Sequence, residues 1–304
     1  LPSVKVRFMA VEIKNAEQMG QDHWAVMEGR DFNNRILISP YNRRITVYEF
    51  DLVRDHGAGE MVRVLVEKAK AHGLDKIWLK SGTKWKHAFL SAGMKLEASI
   101  PGYYKGEEPA LIFAMYLSTK RQTPSNSRGS DLVKKLISDF KTGTGKRMLP
   151  AWITPKWGRP EHCPALARLY SEVFPTYPFP VSDPDYLKHT MDNGTCYIMA
   201  RHNEELIAAA SAEINRPQKN AEMTDFATLP TWRGYGLASC LLAQLESRLE
   251  SEGHRCLYTI ARSSSAGMNK VFAGAGYSFS GVLINNCNIG GGFEDMNVWS
   301  KILV

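Results

Sequence analysis

Asp225-Phe226-Ala227-Thr228-Leu229-Pro230-Thr231-Trp232-Arg233-Gly234-Tyr235-Gly236-Leu237-Ala238 is the stretch that decides the fold of this 304-residue chain. A β-branched and aromatic strand leads in, a proline turn follows, and a glycine loop opens onto the periodic apolar run Leu237, Leu241, Leu242, Leu245, Leu249. That order gathers free backbone N–H groups at the start of a helix, with the positive end of the helix dipole behind them. It predicts an anion cradle, most naturally for a pyrophosphate. The spacing Arg-x-x-Gly-x-Ala is not the dinucleotide pattern Gly-x-Gly-x-x-Gly, and no Gly-Lys-Ser/Thr follows as in a P-loop.

Working outward, the length allows two domains, each with its own core. No apolar run approaches a membrane span, and Leu1–Lys5 has no apolar signal core. The five cysteines (Cys163, Cys196, Cys240, Cys256, Cys287) show no Cys-x-x-Cys pairing and read as reduced, mostly buried thiols. These features predict a cytoplasmic protein that does not meet the membrane. The eight histidines lack His-x-x-x-His spacing and no Gly-x-Ser-x-Gly elbow occurs, so no metal is expected. The net charge of +7 is nearly all local: residues 119–147 hold eight basic and two acidic residues, with the cluster Thr123-Pro124-Ser125-Asn126-Ser127-Arg128-Gly129. Only Phe140 supplies an aromatic there, so the segment reads as a solvated basic linker, not a nucleic-acid arm.

The linker separates halves that echo each other. Helices end at Gly73 and Gly253, 180 residues apart, and shorter ones at Gly93 and Gly276, 183 apart. After each first helix comes a strand (Lys76–Lys80, Cys256–Ile260), and after each second helix come two more, which marks an internal repeat. Arg54-Asp55-His56-Gly57-Ala58-Gly59 lies 179 residues before the cradle loop. It is either a decayed cofactor loop or a plain glycine-rich turn capping a helix. The first half supplies strands at Arg35–Ser39 and Arg44–Phe50 but no opening pair of helices. The second has both, near 161–174 and 183–193, then strands at Cys196–Arg201, Leu206–Ile214 and Ala221–Leu229. The expected domains are residues 1–120, a linker with a short helix over 121–147, and 148–304.

The cradle resembles motif A of the GCN5-related N-acetyltransferases, where this loop holds the pyrophosphate of acetyl-CoA, and the element order of the second half is similar to theirs. The resemblance implies an α+β fold with a mixed, mostly antiparallel sheet and flanking helices, preceded by a truncated, degenerate copy. Further stretches resemble the β-lysine N6-acetyltransferases, which make a compatible solute. They include Phe32-Asn33-Asn34-Arg35-Ile36, Glu97–Glu108, Met223–Pro230, Leu257-Tyr258-Thr259-Ile260-Ala261-Arg262, Leu283–Asn288 and Gly291–Asn297.

The resemblance implies acetyl-CoA as cosubstrate and a small amine, β-lysine above all, as acceptor. Other small amines, a protein lysine, or CoA binding without turnover are the alternatives. It places the Phe226 N–H against the thioester oxygen and the Thr228 backbone on the pantetheine. Arg233, Gly234, Tyr235, Gly236, Leu237 and Ala238 would cradle the pyrophosphate. Glu222 shares a strand face with Phe226 and is a candidate base, with Asp225 on the other face the weaker one. Four residues before Gly276, where the family usually carries a proton-donating tyrosine, stands Phe272, so Tyr258, Tyr235 or water must serve. Ser265 occupies the place of a pantetheine-binding asparagine, with Asn269 one turn later as a substitute. For the acceptor, Arg262 is the expected carboxylate clamp, and Asn285, Asn286, Cys287, Asn288, Glu294 and Asp295 form the expected polar set; Tyr103 and Tyr104 are expected to close the site. Whether the chain is a monomer or a homodimer stays open.

Overall fold

The computed structural model describes residues 22–125, 133, 135–136 and 153–303. Most of the expected linker helix falls outside them. Two compact units emerge, and neither follows the linear cut at residue 120. One comprises Leu1–Ser99, Pro109–Ser125 and Ile284–Asn286; the other comprises Ile100–Glu108, Asn126–Leu283 and Cys287–Val304.

The first unit runs β1 (His23–Glu28), β2 (Phe32–Ser39), β3 (Arg44–Leu52), α1 (Asp55–Ala71), β4 (Lys76–Ser81), α2 (Lys86–Ser91), β5 (Lys95–Tyr104) and β6 (Glu108–Tyr116), closing with the short helix α3 (Thr119–Gln122). Its strands order as β1-β2-β3-β4-β6-β5, with β1–β2, β2–β3 and β4–β6 antiparallel and β3–β4 parallel. The second unit runs β7 (Thr154–Trp157), α4 (Cys163–Val173), α5 (Pro184–Asp192), β8 (Cys196–His202), β9 (Glu205–Asn215), β10 (Asn220–Thr228), α6 (Leu237–Ser251), β11 (Cys256–Arg262), α7 (Ala266–Gly274), β12 (Ser278–Ile289) and β13 (Gly292–Ile302). From β8 onward it repeats the order and directions of the first unit, with β10–β11 as the parallel pair.

The repeated glycines have one physical cause. Each follows a helix and takes a left-handed backbone: Gly73 at φ 65°, Gly93 at 86°, Gly253 at 81° and Gly276 at 83°. The next residue's N–H then reaches back to a helix carbonyl, Leu74 to Ala69 (2.9 Å), Met94 to Phe89 (3.0 Å), His254 to Leu249 (3.0 Å) and Tyr277 to Phe272 (3.1 Å). That is the glycine-dependent helix stop, which no side chain with a Cβ adopts cheaply.

Each unit has its own core. In the first, Met61, Leu65 and Ala69 of α1 bury against Ile45, Ile77 and Phe113 of the sheet. In the second, Leu241, Leu242, Leu245 and Leu249 of α6 bury with Leu166 and Tyr170 of α4 on the alanine-rich β9. Alanines at 208, 209, 210 and 212 let the helices approach that sheet closely, and all four are fully buried.

Polar bonds account for the exchanged segments. In the second unit, Asn220 Nδ2 donates to Tyr103 O (2.8 Å), Lys105 N to Gln218 O (2.8 Å), and the Tyr103 ring lies 5.4 Å from that of Tyr258. In the first, Lys76 is fully buried and its ammonium donates to Glu97 (3.0 Å) and to Ile284 O (2.7 Å). Glu97 also accepts from Ile284 N (2.7 Å) and from the Tyr116 hydroxyl. Among the described residues no helix is long and apolar enough to cross a membrane.

Candidate active site

The site is built around the place where β10 and β11 part. Their parallel pairing covers only Asn220–Glu222 against Cys256–Tyr258, yet β10 continues to Thr228 and β11 to Arg262. Beyond Glu222, among the described residues, no strand pairs with the β10 edge that faces β11. On its other side β10 pairs β9 with one extra residue between Thr224 and Ala227, a β-bulge. Asp225 takes the left-handed conformation there, at φ 51°. Along the strand Glu222, Thr224, Phe226 and Thr228 are half-buried, alternating with buried Met223, Asp225 and Ala227.

Glu222 registers opposite Glu213 of β9 and Tyr258 of β11, so two carboxylates and a phenol form one row at the mouth of the split. Burial first, then the charge of Glu222, holds the Tyr258 hydroxyl well above the usual tyrosine range. The phenol hydrogen-bonds Glu222 and stays protonated at neutral pH, as a donor must.

The loop after β10 is shaped for an anion. Gly234 and Gly236 both sit at positive φ, 89° and 78°, and a Cβ on Gly234 would meet nothing within 4 Å. Gly236 is the N-cap of α6 and, as a glycine, brings no side chain to cap that end. The first turn carries no acidic residue. Leu237 N-terminal to Ala238 is buried and anchors the helix, while Tyr235 is 54% exposed. The Arg233 guanidinium lies 3.4 Å from Thr228 O. These groups fit a pyrophosphate. Replacing Gly234 by Asp puts a charge and a strained φ in the cradle. The expected result is a KM for acetyl-CoA raised at least about tenfold with kcat little changed. Initial-rate kinetics at saturating acceptor check it.

The echo of this loop is not a loop. Arg54 is the N-cap of α1, so Asp55-His56-Gly57-Ala58-Gly59 already lies within the helix. Gly57 is needed because a Cβ there would sit 2.5 Å from Asp31 O. The Asp31 carboxylate pairs with His56 (2.8 Å), and Asp55 occupies the first turn. Negative charge already fills the position that an anion would need.

Other expected site residues separate. Asn269 is fully buried and its amide is consumed: Nδ2 donates to Arg262 O and Ser265 O, and Oδ1 accepts from Asn297 and Trp299, all at 2.8–2.9 Å. It is a core staple with no capacity left for a ligand. Ser265 precedes α7 without capping it by its side chain. Asn285 and Asn286 belong to the first unit. Asn285 Nδ2 donates to Arg121 O (2.9 Å) and Thr123 O (2.6 Å), spending both amide hydrogens. Asn286 O accepts from the Arg44 guanidinium. Cys287 and Asp295 are buried. The expected polar set is thus divided by the fold instead of gathered.

Arg262 and Glu294 do meet, but on each other. The guanidinium bonds Glu294 through Nε (3.0 Å) and Nη2, and Ser264 Oγ donates to the same carboxylate (2.5 Å). Gly290 lies above them, where a Cβ would come within 2.6 Å of the guanidinium. An acceptor carboxylate must therefore compete with Glu294 for this fork. Phe272 is core: its ring meets Phe226 edge-on at 5.5 Å and Tyr277 at 5.2 Å, so no hydroxyl enters from that helix position. Phe174–Pro180, between α4 and α5, was not assigned a role by sequence. Thr176 Oγ1 accepts from Gly290 N (2.8 Å) and the Tyr177 hydroxyl donates to Asp225 (2.8 Å). Among the described residues no three His, Cys, Asp or Glu side chains are placed to hold a metal.

A split parallel pair, a bulged strand and a glycine loop at a helix start agree with what the resemblance to the GCN5-related N-acetyltransferases implies. The acetyltransferase (GNAT) family model matches residues 163–277. The β-lysine N(6)-acetyltransferase of Methanococcus maripaludis is 33% identical over 273 residues, covering 90% of this chain and 97% of that one. The N-acetyltransferase YodP of Bacillus subtilis is 35% identical, covering 86% and 94%. The β-lysine N(6)-acetyltransferase of Methanosarcina mazei is 31% identical, covering 80% and 97%. The chain belongs to the GNAT acetyltransferases, in the β-lysine acetyltransferase-like family, and is an acetyl-CoA-dependent N-acetyltransferase.

Proposed function

We propose that the chain acetylates the ε-amine of β-lysine by direct transfer, producing a compatible solute. The observation that carries the reading is the row Glu213–Glu222–Tyr258 at the mouth of the β10–β11 split, in a chain whose relatives named for β-lysine align with both halves.

Acetyl-CoA supplies the activated acetyl group, and the chain's own residues supply the rest. Glu222, directly or through water, takes a proton from the ε-ammonium, which is otherwise charged at neutral pH. The freed nitrogen forms the new C–N bond. Phe226 N–H donates to the carbonyl oxygen as it gains charge. As the C–S bond breaks, Tyr258 gives its phenol proton to the sulfur and recovers one from Glu222 along their hydrogen bond. Protons balance: the nitrogen loses two, one as the ammonium is deprotonated and one after the C–N bond forms, of which one ends on the thiol and the other leaves through Glu222 to solvent. Glu213, with Glu222, favours a dicationic chain over a monocation.

Tyr258→Phe removes the donor but keeps the ring contact with Tyr103. It is expected to lower kcat about tenfold to 100-fold with both KM values near normal; steady-state rates against both substrates check it. Direct transfer predicts no thiol release before acceptor is added, so a stoichiometric burst with acetyl-CoA alone contradicts it. NMR of the β-lysine product is expected to show the acetyl group on the ε nitrogen; acetyl on the β nitrogen overturns the reading.

A further inference from the structure

Asp225 is an acidic residue in the middle of a strand, at a left-handed φ of 51°, and only 9% exposed. Each of these is unfavourable for an aspartate taken alone. Together they persist because the carboxylate is surrounded by donors. Ser211 Oγ on β9 donates to Oδ2 at 2.7 Å, the Tyr177 hydroxyl to Oδ1 at 2.8 Å, and the neighbouring Thr224 Oγ1 lies at 3.4 Å. Burial pushes the carboxyl above its usual range, and the three hydroxyls work against that shift. Among the described residues no arginine or lysine is bonded to it. A buried carboxylate held by hydroxyls alone adds little net stability, which directs attention to what its geometry fixes.

It fixes the bulge. Thr224 pairs Ser211 and Ala227 pairs Ala209, so Asp225 and Phe226 are the residues the register skips. Ser211, the residue paired with Thr224 just before the slip, is the one that grips Asp225. The carboxylate thus pins the extra residue to the partner strand from below the sheet, while Phe226 is presented on the other face. Through Tyr177 the same carboxylate holds the loop after α4, whose Thr176 is bonded to the β12–β13 turn at Gly290. One buried group sets both the peptide that faces the reacting carbonyl and a loop at the same end of the sheet.

We propose that Asp225 is a positioning residue of the transferase site, holding the β10 bulge in the register that aims the Phe226 N–H and tying that bulge to the Thr176–Tyr177 loop. The inference rests on the assignment of the Phe226 N–H to the thioester oxygen.

Asp225→Gly and Asp225→Asn separate the possibilities. Glycine adopts the left-handed conformation freely but has no side chain, whereas asparagine keeps an acceptor oxygen and tolerates the same φ. The expected result is a kcat lowered about 100-fold in the glycine variant with KM for acetyl-CoA within about twofold, and most of that loss restored in the asparagine variant. Glycine with wild-type kcat, or asparagine as impaired as glycine, overturns the proposal. A binding measurement needing no turnover accompanies it: affinity for a ketone analogue of acetyl-CoA, with CH2 in place of sulfur, against S-ethyl-CoA, which lacks the carbonyl. Wild type is expected to prefer the ketone and Asp225→Gly to lose the preference. If wild type shows no preference, the Phe226 assignment fails and the proposal with it. If wild type discriminates and Asp225→Gly discriminates equally, the assignment stands and the Asp225 proposal alone is overturned. Should the glycine variant not fold, Tyr177→Phe and Ser211→Ala carry the test: each is expected to weaken the ketone preference, and an unchanged preference in both overturns it.

Discussion

Glu222→Gln is expected to lower kcat by about 10²- to 10⁴-fold while leaving the KM for acetyl-CoA near its original value. The substitution is nearly isosteric and keeps a hydrogen-bond acceptor beside Tyr258, so the fold and the row across β9, β10 and β11 remain. What is lost is the site that accepts the ammonium proton. The rate of the wild type should rise with pH as the base ionises, and the variant should lose that acidic limb. Raising the pH, which frees more neutral amine in solution, should then recover part of the variant's rate. A variant with an unchanged profile would remove Glu222 as base and leave Glu213, its partner across β9, as the next carboxylate to test.

Lys76→Met is expected to destabilise the chain by about 3–5 kcal/mol, because it leaves Glu97 buried without its cation. Lys76 is fully buried and the Glu97 side chain is 5% exposed, so water does not replace the lost partner. The double variant Lys76→Met/Glu97→Leu should recover part of the loss, though not all, since Ile284 N and O lose their partners too. Burial depresses Lys76 to about 8, with Glu97 opposing the shift. Between about 8 and the ordinary lysine value the unfolded chain therefore binds more protons than the folded one. The contribution of this group to stability rises with pH across that window and is smallest below it. Urea unfolding at a series of pH values checks both points: the wild type should gain on Lys76→Met above pH 8. A Lys76→Met chain as stable as wild type would show that the buried pair holds nothing in place.

The parts of the fold that sequence made legible are those fixed by short-range chemistry. The strand, proline turn, glycine loop and apolar helix at 225–249 are contiguous, and the paired glycines after four helices are helix stops whose requirement for positive φ is local. The split between β10 and β11 is legible only through the resemblance, whose element order has a splayed strand before the glycine loop; no residue in the split marks where the parallel pairing ends. The bulge at Asp225 left a faint signal: an aspartate inside an otherwise alternating strand, ranked below Glu222 because alternation alone sent it to the other face. That placement agrees with the structure, where the buried face is the one that locks the bulge. Asn285 and Asn269 show the opposite failure. Both sit among polar residues suited to a ligand, yet distant backbone carbonyls and core side chains claim their amides. Arg262 is the expected carboxylate clamp and Glu294 part of the expected polar set, and the antiparallel β11–β13 register, with Arg262 opposite Met296, brings them onto each other instead.

The most direct test is kcat/KM for thiol release from acetyl-CoA with β-lysine, α-lysine, spermidine and a histone-tail peptide measured side by side. A preference for β-lysine of at least about 100-fold, near 3 kcal/mol of differential transition-state binding, is the predicted result. Equal or greater turnover of any of the other three would contradict β-lysine as the acceptor.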